Sequence, residues 1–381
     1  MEKSLLNQAA PRQYTVTMAE IFIHNDPFTL ESGITLPQYH LAYSTYGSLN
    51  RERNNVVWIF HALTANSEAA EWWPGLVGEG KLFDPARFFI ICVNMPGSCY
   101  GSFGPLDSGP VAPGLPADNG RSLYHDFPFF TTRDMVRAYI PLRKKLGISS
   151  IHIGIGGSMG GQQLLEWAVE EPSLFQYIFP IATNAFHSPW GIAFNASQRL
   201  CIETDPTWAD RTPESGTKGM KAARSVALLS YRNYETYRLR QSETNTELSG
   251  GFKSDSYQRY QGEKLAKRFN AFSYYKLSQS MDSHNVGRGR GGVEQALQLV
   301  TAKTLVIGIK TDVLFPVQEQ QFLGLNIPGA FYEVLYSLYG HDGFLLEFEQ
   351  IAKLIVAFLT KNSNNNLPDS RLASDKLHII N

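Results

Sequence analysis

One stretch constrains this chain more than any other: Ile151-His152-Ile153-Gly154-Ile155-Gly156-Gly157-Ser158-Met159-Gly160-Gly161, followed by Gln162-Gln163-Leu164-Leu165-Glu166-Trp167-Ala168. β-branched apolar residues lead, as in a buried strand. Glycines then surround one serine, and a helix-period pattern follows with Leu164, Leu165, Ala168 and Val169 on one side. Gly156-x-Ser158-x-Gly160 thus stands in the setting that gives G-x-S-x-G its meaning: strand, sharp turn, helix. So tight a turn has no room for bulky neighbours, which is why glycine lies on either side of the serine. It lifts the hydroxyl out at the top of a sheet. It also aims the Met159 N–H, at a helix N-terminus, where an oxyanion would form. Ser158 is the candidate nucleophile, and Met159 supplies one candidate oxyanion donor.

The flanking chain reads as alternating strands and helices. Ile34-Thr35-Leu36 and His40-Leu41-Ala42-Tyr43 are short alternating runs, expected to begin a sheet as antiparallel strands. Asn55–Phe60 and Phe88–Asn94 are continuous apolar runs, the mark of strands buried on both faces. The first empties into His61-Ala62-Leu63-Thr64, and the second into a glycine- and proline-rich loop from Met95 to Pro105. Thr131–Leu146 reads as a helix capped by Thr131 or Thr132, with Pro141 as a possible kink. Phe175–Ala182 is a further strand. Such alternation predicts an α/β protein: a mostly parallel sheet with helices on both faces.

From about residue 186 the strand character stops, and Gly219–Tyr231 and Tyr257–Asp282 read as helical. It returns at Thr304–Ile309 and Phe331–Leu335, and Phe344–Leu359 reads as a closing amphipathic helix. The expected division is a core over 1–185 and 301–362, a helical cap inserted over 186–300, and a polar tail over 363–381. Helical insertions of this kind lie over the carboxyl ends of the strands, where ligands bind.

Composition excludes several classes. The 381 residues carry a formal net charge of −1, so neither nucleic acid nor an anionic membrane is an expected partner. Cys92, Cys99 and Cys201 are too few and scattered for a disulfide framework or a metal site. Met1–Tyr14 lacks a signal-peptide core, and no run is long enough to span a bilayer. The expected location is the cytoplasm.

A serine hydroxyl needs a base to act as a nucleophile at neutral pH, and the base needs an orienting carboxylate. Where a serine stands on such an elbow, the partners follow in the order serine, acid, histidine. Asp312 follows the Leu305–Ile309 strand, and His341 follows the next one in Tyr339-Gly340-His341-Asp342-Gly343. These are the candidate acid and base. His284 precedes Asp312, so its order is wrong, and His61 is expected to position a loop. Leu63 N–H, after the Val56–Phe60 strand, is the second candidate oxyanion donor. Cys99 has no neighbouring base and reads as a packed thiol.

Six segments together resemble the homoserine O-acetyltransferase family: His61-Ala62-Leu63-Thr64, Cys99-Tyr100-Gly101-Ser102, Arg133-Asp134-Met135-Val136, Gly156–Gly161, Tyr257–Arg268 and Gly340-His341-Asp342. The similarity runs from about residue 20 to 360. It implies an α/β-hydrolase core with a helical cap, and two-step acyl transfer from acetyl-CoA to L-homoserine in methionine biosynthesis. It implies acetyl-CoA as co-substrate with no tightly bound cofactor or metal, and homodimers formed through the cap. By segment match, Arg224 and Asp342 are the residues that hold homoserine, and Tyr231 lies near it. A zwitterion needs a cation for its carboxylate and an anion for its ammonium, which agrees with an arginine and an aspartate. The chain departs from the family pattern at Met95–Cys99 and Gln162, both candidates for the wall of the acyl pocket. A succinyl donor, a serine acceptor, and an ester or thioester hydrolase of the same fold remain the alternatives.

Overall fold

The computed structural model describes residues 19–108 and 122–362. The Met1–Tyr14 segment and the expected polar tail over 363–381 lie outside the described residues. Among the described residues there are ten strands: β1 (Glu20–His24), β2 (Phe28–Thr29), β3 (Thr35–Leu36), β4 (Tyr39–Tyr46), β5 (Val56–Phe60), β6 (Phe89–Val93), β7 (Ile151–Gly157), β8 (Phe175–Ile181), β9 (Lys303–Ile309) and β10 (Phe331–Leu335). Eight form one sheet in the order β1-β4-β6-β5-β7-β8-β9-β10. Pairing is antiparallel from β1 through β4 to β6 and parallel thereafter. The Ile34–Leu36 run does not join it. Thr35 and Leu36 pair with β2 in a separate two-stranded ribbon.

The apolar runs are continuous because both sheet faces are covered. In β5, Val56, Trp58 and Phe60 enter one core layer, while Val57 and Ile59 enter the other. The first layer lies under α2 (Thr132–Lys145) and α3 (Met159–Glu170). The second lies under α1 (Ala69–Trp72) and α12 (Phe348–Asn362). Trp58 and Trp167 meet edge to face at 4.9 Å. Helix α3 is buried from Met159 to Val169, on every side rather than on one stripe. Thr131 caps α2 in a capping box with Asp134, and Pro141 does not interrupt the helix.

Between β8 and β9 lie α4 (Pro189–Glu203), α5 (Thr217–Tyr231), α6 (Tyr234–Gln241), α7 (Lys253–Ala266), α8 (Ala271–Asp282) and α9 (Val293–Leu297). The Tyr257–Asp282 run is two helices, because Asn270 caps a new one by accepting from the Ser273 N–H. After β9 come α10 (Val317–Asn326), α11 (Gly343–Leu346) and α12. The closing run is likewise broken, at Glu347. Among the described residues no helix is long and apolar enough to cross a membrane.

Two of the family-like segments tie these layers together. Arg133 on α2 bonds the fully buried Glu166 on α3 at 2.7 Å, Glu31 at 2.9 Å and the Arg288 carbonyl at 2.8 Å. Arg290 adds a second 2.7 Å contact to Glu166. Arg268, just after α7, donates to the Thr64 carbonyl and to the Tyr100 hydroxyl. The helical segment is thereby fastened to the loops that leave the carboxyl ends of β5 and β6.

Three buried histidines give the fold a pH limit. His61 and His187 are held at about 4 and His284 at about 3, in each case because burial disfavours the charged ring. The ordinary value is 6.5. Above that pH all three are neutral in folded and unfolded chain alike. Below it the unfolded chain binds protons the fold refuses, and each histidine removes up to about 1.4 kcal/mol per pH unit. The melting temperature is therefore expected to be level between pH 7 and 8 and to fall steeply between pH 6 and 4. Calorimetry across that range checks it, and a flat profile down to pH 5 contradicts it.

Candidate active site

Ser158 stands between β7 and α3 with φ +57° and ψ −130°, a backbone region that L-residues rarely adopt. The elbow survives because its neighbours have no side chains in the way. A Cβ on Gly160 would lie 2.1 Å from the Phe60 carbonyl oxygen, so α3 starts hard against the end of β5. Phe60 pairs with Gly156 across the sheet. The loop His61–Thr64 therefore leaves the sheet directly beside the serine. His61 braces it, accepting from the Met95 N–H at 3.1 Å and donating through Nδ1 to the Ala62 carbonyl at 2.9 Å. Leu63 and Met159, both buried, make no backbone N–H hydrogen bond to another described residue.

Asp312 and His341 are brought together. His341 Nδ1 lies 2.6 Å from Asp312 Oδ2, and both residues are at most 5% exposed. The other carboxylate oxygen, Oδ1, accepts the N–H groups of Leu314 and Phe315 at 2.8 and 2.9 Å. The acid is thus fixed by its own turn, and it fixes the ring that faces it. Phe315 stacks on the imidazole at 5.1 Å and Phe344 meets it at 5.3 Å. Phe344 also packs on the backbone at the serine, since a Cβ on Gly157 would fall 2.3 Å from its ring. The serine elbow and the imidazole flank the same phenyl ring. No direct hydrogen bond joins Ser158 to His341 among the described residues.

The residues matched to homoserine binding gather on the same imidazole. The Tyr231 ring lies 5.8 Å from His341, and the Arg224 guanidinium lies 5.2 Å from the Tyr231 ring. Burial pushes the Tyr231 phenol up, against the pull of Arg224. Asp342 caps no helix with its side chain. It is paired with Arg232, Nη2 to Oδ2 at 3.1 Å. Sequence reasoning missed Arg232: an arginine after a matched tyrosine carries no signal until its partner is seen. It also missed Glu319, which accepts from Asn184 Nδ2 at 2.8 Å, and whose carboxyl is pushed up mainly by burial. Gln162, the departure after the elbow, is fully buried and donates to Asn184 Oδ1 at 2.9 Å.

The other candidates are placed elsewhere. His284 is buried between Thr132 Oγ1 at 3.1 Å and the Asn184 carbonyl at 3.0 Å. Cys99 donates to the Arg268 carbonyl, and burial pushes its thiol up to about 11, which leaves it unreactive at neutral pH.

The family model of the alpha/beta hydrolase fold matches residues 55–348. A homoserine O-acetyltransferase of Cyclobacterium marinum is 45% identical over 358 residues, covering 94% of this chain and 100% of the relative. The crystal structure of homoserine O-acetyltransferase from Bacillus anthracis superposes with a TM-score of 0.81 at 26% identity, covering 91% of this chain and 98% of that one. An acetylester hydrolase from Corynebacterium glutamicum superposes at 0.77 with 25% identity, covering 90% and 96%. Sheet order, serine elbow and family match define an enzyme of the α/β-hydrolase fold. Within that class the chain belongs to the homoserine O-acetyltransferase family of acyltransferases.

Proposed function

We propose that this enzyme moves an acetyl group from acetyl-CoA to the hydroxyl of L-homoserine through an acyl-Ser158 intermediate, a step of methionine biosynthesis. His341, oriented by Asp312, takes the Ser158 proton as the serine attacks the thioester carbonyl. The N–H groups of Leu63 and Met159 receive the oxyanion, and losing one such donor costs about 10²–10³ in rate. His341 returns the proton to the departing thiol. Homoserine then binds with its carboxylate on Arg224 and its ammonium on Asp342, beside Tyr231. His341 deprotonates its hydroxyl, which takes the acyl group and frees Ser158. No metal has a part in these steps. The observation that carries this reading is the 2.6 Å contact of His341 with Asp312 beside a serine on a strained elbow.

Transfer exceeds hydrolysis only if water is scarce while the alcohol is in place. In this reading residues 186–300 act as the cap that provides this, between core segments 1–185 and 301–362. The exposed Leu229, Tyr234, Leu239, Leu248, Phe252 and Tyr260 of that segment support a homodimer formed through it. The acyltransferase reading is tested by crossing acetyl- and succinyl-CoA with homoserine, serine and no acceptor. CoA release is expected to be fast only with acetyl-CoA and homoserine together. Equal release without an acceptor identifies a hydrolase instead, the activity named for the Corynebacterium glutamicum neighbour.

A further inference from the structure

Asp342 already has a cation. Its partner Arg232 is about four-fifths buried, with 19% of its side chain exposed against 14% for Asp342. The pair is built into the turn that carries His341. The Arg232 N–H donates to the Leu228 carbonyl at the end of α5. Its backbone packs under Gly340, where φ is +61° and a Cβ would come within 3.0 Å of the Arg232 carbonyl carbon. Its guanidinium lies 5.9 Å from the Tyr339 ring.

The charges beside His341 are thus two guanidiniums, Arg224 and Arg232, and two carboxylates, Asp342 and Asp312. Arg224 has no ion pair among the described residues. Glu319, the remaining carboxyl that acts on His341, is bonded by Asn184 and Ser188, and burial favours its neutral form. Asp342 is paired with Arg232, and Asp312 is committed to His341 and to the Leu314 and Phe315 N–H groups, so the Arg224 charge is the one left without an ion-pair partner among the described residues. A zwitterion leaves it unchanged, an amino alcohol doubles it, and a hydroxy acid without an amino group cancels it. A site that pairs with a substrate group rejects the analogue lacking it because its own buried group is left unpaired. With Arg232 in place, removing the substrate ammonium does not leave Asp342 unpaired.

We propose that Arg232 keeps Asp342 paired when no substrate ammonium is present, and that the enzyme therefore also acylates γ-hydroxy carboxylates without an amino group, 4-hydroxybutyrate being the simplest. The proposal rests on the acyl-Ser158 reading above. The acyl carbon breaks its bond to Ser158 Oγ and forms one to the acceptor hydroxyl oxygen. The hydroxyl proton passes to His341 and then to Ser158 Oγ, so no further reactant is needed.

The test uses the full-length enzyme with acetyl-CoA and three acceptors: L-homoserine, 4-hydroxybutyrate and 3-amino-1-propanol. CoA release and the mass of the acylated product are read together. In the wild type, kcat/KM for 4-hydroxybutyrate is expected within about tenfold of homoserine, and 3-amino-1-propanol at least about a hundredfold below. In Arg232→Met the preference for homoserine over 4-hydroxybutyrate is expected to rise about a hundredfold, because Asp342 then depends on the substrate ammonium. Arg232→Lys is expected to restore the wild-type ratio. The ratio within one variant cancels any loss common to both acceptors. Homoserine turnover without acetylated 4-hydroxybutyrate in the wild type overturns the proposal, and so does an unchanged ratio in Arg232→Met. A wild type that forms no acyl adduct on Ser158 overturns the underlying reading, and this proposal with it.

Discussion

Ser158→Ala is expected to lower kcat for acyl transfer by about 10⁶, the loss found when a nucleophile that works as a unit with its base is deleted. The same change abolishes the acetyl adduct that acetyl-CoA alone leaves on the wild-type protein, read by mass spectrometry of the intact chain and its peptides. Stability is expected to change little. The serine side chain is buried and makes no hydrogen bond to another described residue, so alanine removes no partner. The strained φ of +57° is a property of the turn, with β7 and α3 holding both ends. A wild-type chain that stays unmodified during active turnover contradicts the covalent route.

Asp312→Asn is expected to cost about 10⁴ in kcat with the melting temperature nearly unchanged. The carboxylate accepts three hydrogen bonds: from Leu314 N–H, from Phe315 N–H and from His341 Nδ1. The asparagine carbonyl can keep the two backbone bonds. Its amide then turns N–H toward Nδ1, which must become an acceptor, and the ring proton moves to the nitrogen that faces the serine. The base is then in the wrong tautomer. A loss of tenfold or less in the pre-steady-state acylation rate would mean that Asp312 does not orient the base.

Much of the fold was legible because burial writes itself into residue type. β5 and β7 are apolar throughout because both sheet faces are covered, and that pattern needs no partner to be seen. Boundaries were harder. The break between α7 and α8 depends on Asn270 accepting from the Ser273 N–H, a cap signal that the helical reading of Tyr257–Asp282 ran through. The break at Glu347 has no comparable local sign. The two-residue strands β2 and β3 left the main sheet because sheet membership is decided by which edge is free.

The sequence by itself determined the local geometry at Ser158: Gly156, Gly157 and Gly160 leave the room so tight a turn needs, and the order of strand, turn and helix follows from period alone. It also determined which acid and which histidine follow which strand. Only the tertiary structure decided contacts between residues far apart in the chain. Asp312 and His341 meet because β9 and β10 are parallel neighbours whose carboxyl ends lie on one rim. Arg232 meets Asp342 because the end of α5 packs under the turn at Gly340. Charge pairing is set by distance in space, and spacing along the chain carries no record of it until the fold has closed.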